Sequence, residues 1–180
     1  MNKMKLEYNH KIMLKFISLA LVGSLTFLNT VCTKDKDASN IDTTKKNINI
    51  QIPFSKQGEV YFQDKNKNLI KQIDVEIAET DEKRHLGLMY RMKLEENQGM
   101  LFIFQDEEEQ GFYMKNTMIS LDIIFVNSKK QIIKIHKNTT PYSSKTLPSV
   151  KPALYVVEVI AGFTDKYGIK EGDQIDWRKF

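Results

Sequence analysis

The sequence predicts a mainly β, α+β fold: a compact antiparallel barrel or sandwich with one helix covering an opening. Three observations predict it. After residue 99 the apolar pattern is carried by short strand-like runs almost without break. The runs are separated by turn residues at hairpin spacing, as at Asn127-Ser-Lys-Lys130. Only one stretch, beginning at Thr80, combines a helix start signal with apolar residues at helical spacing.

The elements follow in order. The folded domain begins near Ile50 to Glu59, and Glu59-Val-Tyr-Phe-Gln63 reads as a short strand. Asp64-Lys-Asn-Lys-Asn68 is a turn. Ile70 to Ala78 alternates, with Ile73, Val75 and Ile77 on one face and Asp74 and Glu76 on the other, as a half-buried strand does. Thr80 is a good helix N-cap, and Asp81 and Glu82 fall in the first turn, where the helix dipole favours anions. The helix is expected to run to about Tyr90, with Leu86, Met89 and Tyr90 on its apolar side. Strands are expected at Met100 to Phe104, Gly111 to Lys115, Leu121 to Val126 and Gln131 to His136. The acidic run Asp106 to Glu109 reads as a solvated turn, and Thr139 to Pro152 as a long loop. Ala153 to Ile160 is a strong strand. Phe163 to Tyr167 makes a helical turn closed by Gly168 and Ile169, and Gln174 to Trp177 is the last strand.

The chain has 180 residues, 41% of them hydrophobic, which suits one domain with an appendage. The appendage is N-terminal. Lys3, Lys5, Lys11 and Lys15 precede the apolar run Phe16 to Leu28, which is short for a membrane span and fits a signal-peptide core. Cys32, the only cysteine, follows at once. Its place resembles a bacterial lipoprotein attachment site, although Asn29 and Val31 stand where Leu and a small residue are usual. An ordinary secretory signal or an uncleaved anchor remains an alternative. All three export the domain to the cell envelope. Residues 33–49 are polar and lysine-rich and read as a flexible tether, leaving 50–180 as the single β-rich domain. The formal charge of +4 is mild and no basic stripe is interleaved with aromatics, which argues against nucleic-acid binding.

Chemistry is expected where polar groups interrupt apolar strands, because a buried polar group is costly unless paired or used. Asp122 lies in Leu121-Asp-Ile-Ile-Phe125, apolar on both faces, and Glu158 lies in an equally apolar strand. If the two converge, they could serve as an acid–base pair or hold a hard cation. Otherwise they are braces for Arg84 and Arg91, whose planar forks suit carboxylates. Lys115, Asn116 and Thr117 offer an ammonium, an amide and a hydroxyl at the end of a strand, or else form a local turn. Met89, Met92, Met114 and Met118 are thioethers at short spacing, a pattern that core packing explains better than copper. His85 and His136 are isolated and read as surface or satisfied residues. No cofactor, zinc spacing or nucleophile elbow is read.

Six ordered segments carry a family resemblance: Arg84-His-Leu-Gly-Leu-Met-Tyr-Arg91, Gly99-Met-Leu-Phe-Ile-Phe104, Phe112-Tyr-Met-Lys-Asn-Thr117, Leu121-Asp-Ile-Ile-Phe125, Val157-Glu-Val-Ile-Ala-Gly162 and Gly168-Ile-Lys-Glu-Gly-Asp173. Together, over about Ile70 to Trp177, they resemble the domain of unknown function 192 family of bacteria and archaea. The resemblance implies a compact β-rich domain, often exported, with no established activity. Relatives commonly have Trp at the position of Tyr113 and Pro at that of Ser120. Tyr113 keeps an aromatic surface for stacking, and Ser120 is expected to loosen the turn before Asp122.

Three functional expectations result. The first is a membrane-tethered binding module for a small polar or anionic ligand, its pocket lined by Arg84, Arg91, Lys115, Asn116, Thr117, Asp122 and Glu158, with Tyr113 as a stacking surface. The second is a hydrolase using Asp122 and Glu158 with a water. The third is a structural or partner-binding envelope protein without a small-molecule site. The membrane is an expected partner through lipid on Cys32; no protein partner is read.

Overall fold

The structure, a computed structural model, describes residues 52–180. The leader, Cys32 and the tether lie outside the described residues. The domain is a seven-stranded sheet in the order β5-β4-β6-β3-β2-β1-β7, with two short helices. In chain order the elements are β1 (Gly58–Gln63), β2 (Leu69–Ala78), α1 (Asp81–Leu86), β3 (Gln98–Phe112), β4 (Leu121–Val126), β5 (Ile132–His136), β6 (Leu147–Ile160), α2 (Phe163–Tyr167) and β7 (Gln174–Lys179).

The predicted mainly β, α+β class holds, and the sheet curls into a partial barrel. Its two edges touch at one end, where Gln131 bridges Gln174. Ile132 N–H donates to the Asp173 carbonyl (2.8 Å) and Ile175 N–H to the Lys130 carbonyl (2.9 Å). All pairings are antiparallel except β2 with β3, which run parallel. Parallel neighbours need a long crossover. Here residues 79–97 supply it, and α1 lies within them.

The sheet buries both faces. Strands from both edges contribute to the inner core, with Val60, Phe62, Val75, Leu101, Ile124, Val157 and Ile175 packed against Phe163 of α2. Full burial of a side chain such as Phe62 stabilises by about 1.5–3 kcal/mol. The outer core holds Met100, Phe102, Leu121, Ile123, Phe125 and Val156 under the crossover residues Leu88 and Leu94 and under Met114. β4 lies between β5 and β6 and is buried at all six positions. This explains why its sequence is apolar on both faces.

Four local expectations need correction. No separate strand spans Gly111 to Lys115: Gly111 and Phe112 end β3, and Lys115 lies in a turn. Helix α1 is shorter than predicted: it ends at Gly87, which has φ +48, and the chain turns there. A Cβ on Gly87 would stand 3.3 Å from the Phe102 ring, so this glycine also permits close approach to the sheet. The acidic run is not a turn. Asp106 to Glu109 belongs to β3, which continues to Phe112 with these side chains exposed. Leu147 to Pro152 is likewise strand, not loop. Pro148 and Pro152 are tolerated because β6 pairs only with β3 over that stretch.

Candidate functional site

Residues paired across an antiparallel ladder share a face, and successive rungs alternate. Asp122 pairs with Val159, and Glu158 pairs with Ile123. The two carboxylates therefore occupy adjacent rungs and point to opposite faces of the sheet. They do not converge, and the hydrolase expectation loses the shared cleft it requires.

Asp122 faces the inner core and is fully buried. It accepts hydrogen bonds from Thr164 Oγ1 (2.7 Å), Thr164 N–H (2.9 Å), Asn138 N–H (2.9 Å) and Gly162 N–H (3.3 Å). These bonds fasten the start of α2 and the segment after β5 to β4. Asp122 is thus a brace, though its partners are backbone groups and a hydroxyl rather than an arginine. The preceding turn is held too: Ser120 Oγ donates to the Thr139 carbonyl (2.7 Å) and Thr139 Oγ1 to the Leu121 carbonyl (2.8 Å), so Ser120 does not loosen it.

The arginines take other partners. Arg91 is buried and pairs with Glu76, whose other oxygen accepts the Ser55 N–H (2.6 Å). Arg84 donates to Asp81 and to the carbonyls of Glu79 (2.7 Å) and Ile103 (2.8 Å), and its guanidinium lies 5.4 Å from the Phe104 ring centroid. Lys115 and Asn116 form the middle of a turn closed by Thr117 N–H to the Met114 carbonyl (3.1 Å). Lys115 is exposed. Asn116 takes φ +58, a conformation Asn adopts more readily than most residues, and its amide donates to Tyr90 Oη (2.9 Å).

Glu158 faces the outer core, where it forms one wall of a cavity of about 290 Å³. Helix α1 and the turn after it contribute Asp81, Arg84, His85, Leu86, Gly87, Leu88 and Met89. Strand β3 contributes Phe102, Phe104, Gln110, Gly111 and Phe112, followed by Tyr113 and Thr117. The aromatic wall is ordered edge to face: Phe112 meets Phe102 at 5.1 Å and Phe104 at 6.4 Å. Backbones crowd near Glu158. A Cβ on Gly99 would fall 2.7 Å from its carbonyl oxygen, so only glycine lets β3 approach β6 there.

Glu158 is 5% exposed, and burial is the only influence on its carboxyl, with no hydrogen bond to it from the described residues. Burial pushes its carboxyl up to about 8. Near neutral pH it is therefore mainly the neutral acid, able to donate one hydrogen bond and accept others. Gln110 adds a second unfilled group: its side-chain nitrogen is buried without a partner among the described residues. The chain beside the cavity is also strained. Tyr90, Asn116 and Tyr142 all have positive φ, and Tyr90 N–H to Asn116 O (2.9 Å) and Tyr142 N–H to Thr117 O (3.1 Å) tie them into one corner.

The cavity thus gathers Arg84, Tyr113, Thr117 and Glu158 of the residues selected from sequence. Arg91, Lys115, Asn116 and Asp122 are not in its lining. The model of a protein family, domain of unknown function 192 ("Uncharacterized ACR, COG1430"), matches residues 62–177. The chain belongs to this family. A curated relative, the UPF0127 protein PF1050 of Pyrococcus furiosus, is 26% identical over 113 residues, covering 60% of this chain and 90% of that protein. Two solved structures share the fold. A putative transcription regulator from Sinorhizobium meliloti 1021 is 31% identical with a TM-score of 0.65, covering 71% of this chain and 97% of that one. A protein of unknown function from Novosphingobium aromaticivorans is 33% identical with a TM-score of 0.61, covering 66% and 84%.

In this family member, sequence reasoning missed His85, Gln110, Met89 and the phenylalanine wall as cavity residues. Each looked ordinary because a lone histidine, a strand glutamine or a strand phenylalanine carries no pattern of its own. The one usable signal was Glu158, a carboxylate amid apolar alternation. The residues around it come from the crossover and the far end of β3, which no local pattern joins.

Proposed function

We propose that this family member is a binding module that takes a small organic ligand into the cavity between α1, β3 and β6. The observation that carries the reading is Glu158: a buried carboxyl, unpartnered among the described residues, at the wall of an aromatic-lined cavity. A buried polar group without a partner is a standing cost, and a ligand that completes its hydrogen bonds recovers it. The ligand favoured is not an anion. Arg84 is already engaged by Asp81 and two carbonyls, while Arg91 is committed to Glu76 and Lys115 does not line the cavity. The leader and Cys32 support placement of the module outside the cytoplasmic membrane, on a lipid anchor with residues 33–49 as spacer. Although one solved relative is titled a putative transcription regulator, the mild +4 charge here offers no comparable support for a nucleic-acid partner.

Thermal unfolding of the full chain against a library of amines, alcohols, sugars, anions and metal ions tests the binding reading. A ligand at a hundredfold excess over its Kd adds about 2.7 kcal/mol, which raises the melting temperature by several degrees. Tyr113→Ala should weaken that shift. A library in which no compound raises the melting temperature overturns the proposal.

A further inference from the structure

We propose that the ligand of this cavity is an organic amine with an aromatic or other planar apolar body, its ammonium group seated on the Glu158 carboxylate. The inference rests on the binding reading above and adds the charge of the ligand. The groups that surround Glu158 decide it. Two carboxyls line the cavity, Glu158 deep in the wall and Asp81 on α1, against one permanently charged cation, Arg84. Arg84 is oriented away from Glu158's needs: its bonds go to Asp81, Glu79 O and Ile103 O. The remaining titratable lining groups are His85 and Tyr113. The ladder neighbours of Glu158, Met100 on β3 and Ile123 on β4, carry no charge. An ammonium group would therefore meet a carboxyl with no competing cation bonded to it among the described residues. It would also meet the rings of Phe102, Phe112 and Tyr113, whose negative faces attract cations. The Phe104 ring already holds the Arg84 guanidinium in this way.

The chemistry balances in one step. The amine enters as R–NH3+, the Glu158 carboxyl releases its proton to solvent, and the ammonium donates a hydrogen bond to the resulting carboxylate. Because burial holds the free carboxyl mostly protonated at neutral pH, binding at pH 7 should release close to one proton per amine, and at pH 9.5 almost none.

Calorimetry on the full chain with phenylethylamine, phenylethanol and phenylpropionate tests this, since the three differ mainly in charge. Titrations at pH 7 in two buffers of different ionisation heat count the protons. The expected result is that the amine binds at least tenfold tighter than the alcohol, with the carboxylate weakest, and that proton release accompanies only the amine. Glu158→Gln should abolish both the tenfold preference for the amine over the alcohol and the proton release that accompanies amine binding. Equal or tighter binding of the alcohol or the carboxylate overturns the amine assignment and leaves the binding reading standing. Amine binding without proton release overturns it as well, and this readout needs no variant. If none of the three probes binds, the amine assignment fails, and the library screen decides the binding reading separately.

Discussion

Asp122 and Glu158 occupy adjacent rungs of one strand pair, yet their surroundings differ in kind. Asp122 faces the inner core and receives four hydrogen bonds from groups that have no other use for them. Glu158 faces the outer core and receives none from the described residues. One carboxylate holds α2 across the curled sheet; the other lines a cavity wall. Burial alone does not separate a brace from a site. The number of partners already in place does.

The comparison is tested most strongly by pH. Glu158 has its folded-state carboxyl raised to about 8 from an ordinary 4.5. Between those values the folded state holds a proton that the unfolded chain has lost, so stability should fall as pH rises through that window and level off above it. The full difference corresponds to roughly 5 kcal/mol. Chemical denaturation at pH 5 and pH 9 measures it, and Glu158→Gln should flatten the profile. A wild-type profile that is already flat would remove the contrast with Asp122. The window is clean at its ends. Lys56, and then Tyr61 and Arg178, hold Glu59 down to about 2, so its stabilisation is lost only as pH falls below 4.5. Lys56 and Lys166 are raised by acidic partners, so their contributions are lost only above the ordinary lysine range.

Asp122→Asn should be next in size. The substitution turns one accepting oxygen into a donor facing Thr164 or Asn138, at a cost of about 3–4 kcal/mol in urea denaturation. A loss under 1 kcal/mol would mean that Asp122 is no brace. Arg91→Met sharpens the contrast by stranding Glu76, and about 3 kcal/mol of destabilisation is expected from the same measurement. Tyr113→Ala, at the cavity mouth, should leave stability within about 0.5 kcal/mol and reduce ligand affinity about tenfold. Cys32→Ala should change neither quantity, but should release the chain from the membrane fraction and remove lipid from its N-terminal peptide.

Much of the fold was legible because its strands keep strict periods. Leu121 to Val126 was read correctly as a central strand from apolar residues on both faces, and Asp122 as enclosed. Glu158 stood out for the same reason. What could not be read was long-range. Leu86, Met89 and Tyr90 keep helical spacing, which points to a helix through Gly87, but the backbone leaves the helix at that glycine, with φ +48. The acids at 106–109 looked like a turn because polar side chains mark solvent in a strand as well as in a loop. Which face Glu158 shares with Arg84, and that Asp122 does not share it, depends on ladder register. Two apolar strands do not reveal which residues they will pair.

The contact between β5 and β7 has a consequence for how one copy of this domain can meet another. A sheet with two free edges can add copies of itself strand by strand. Here Gln131 and Gln174 bring the two margins together at one end, and the unpaired side of β6 beyond the ladder with β4 carries Pro148 and Pro152, which cannot donate from the backbone. At that end of the sheet, and along that side of β6, a second copy finds fewer free backbone groups on which to continue the ladder.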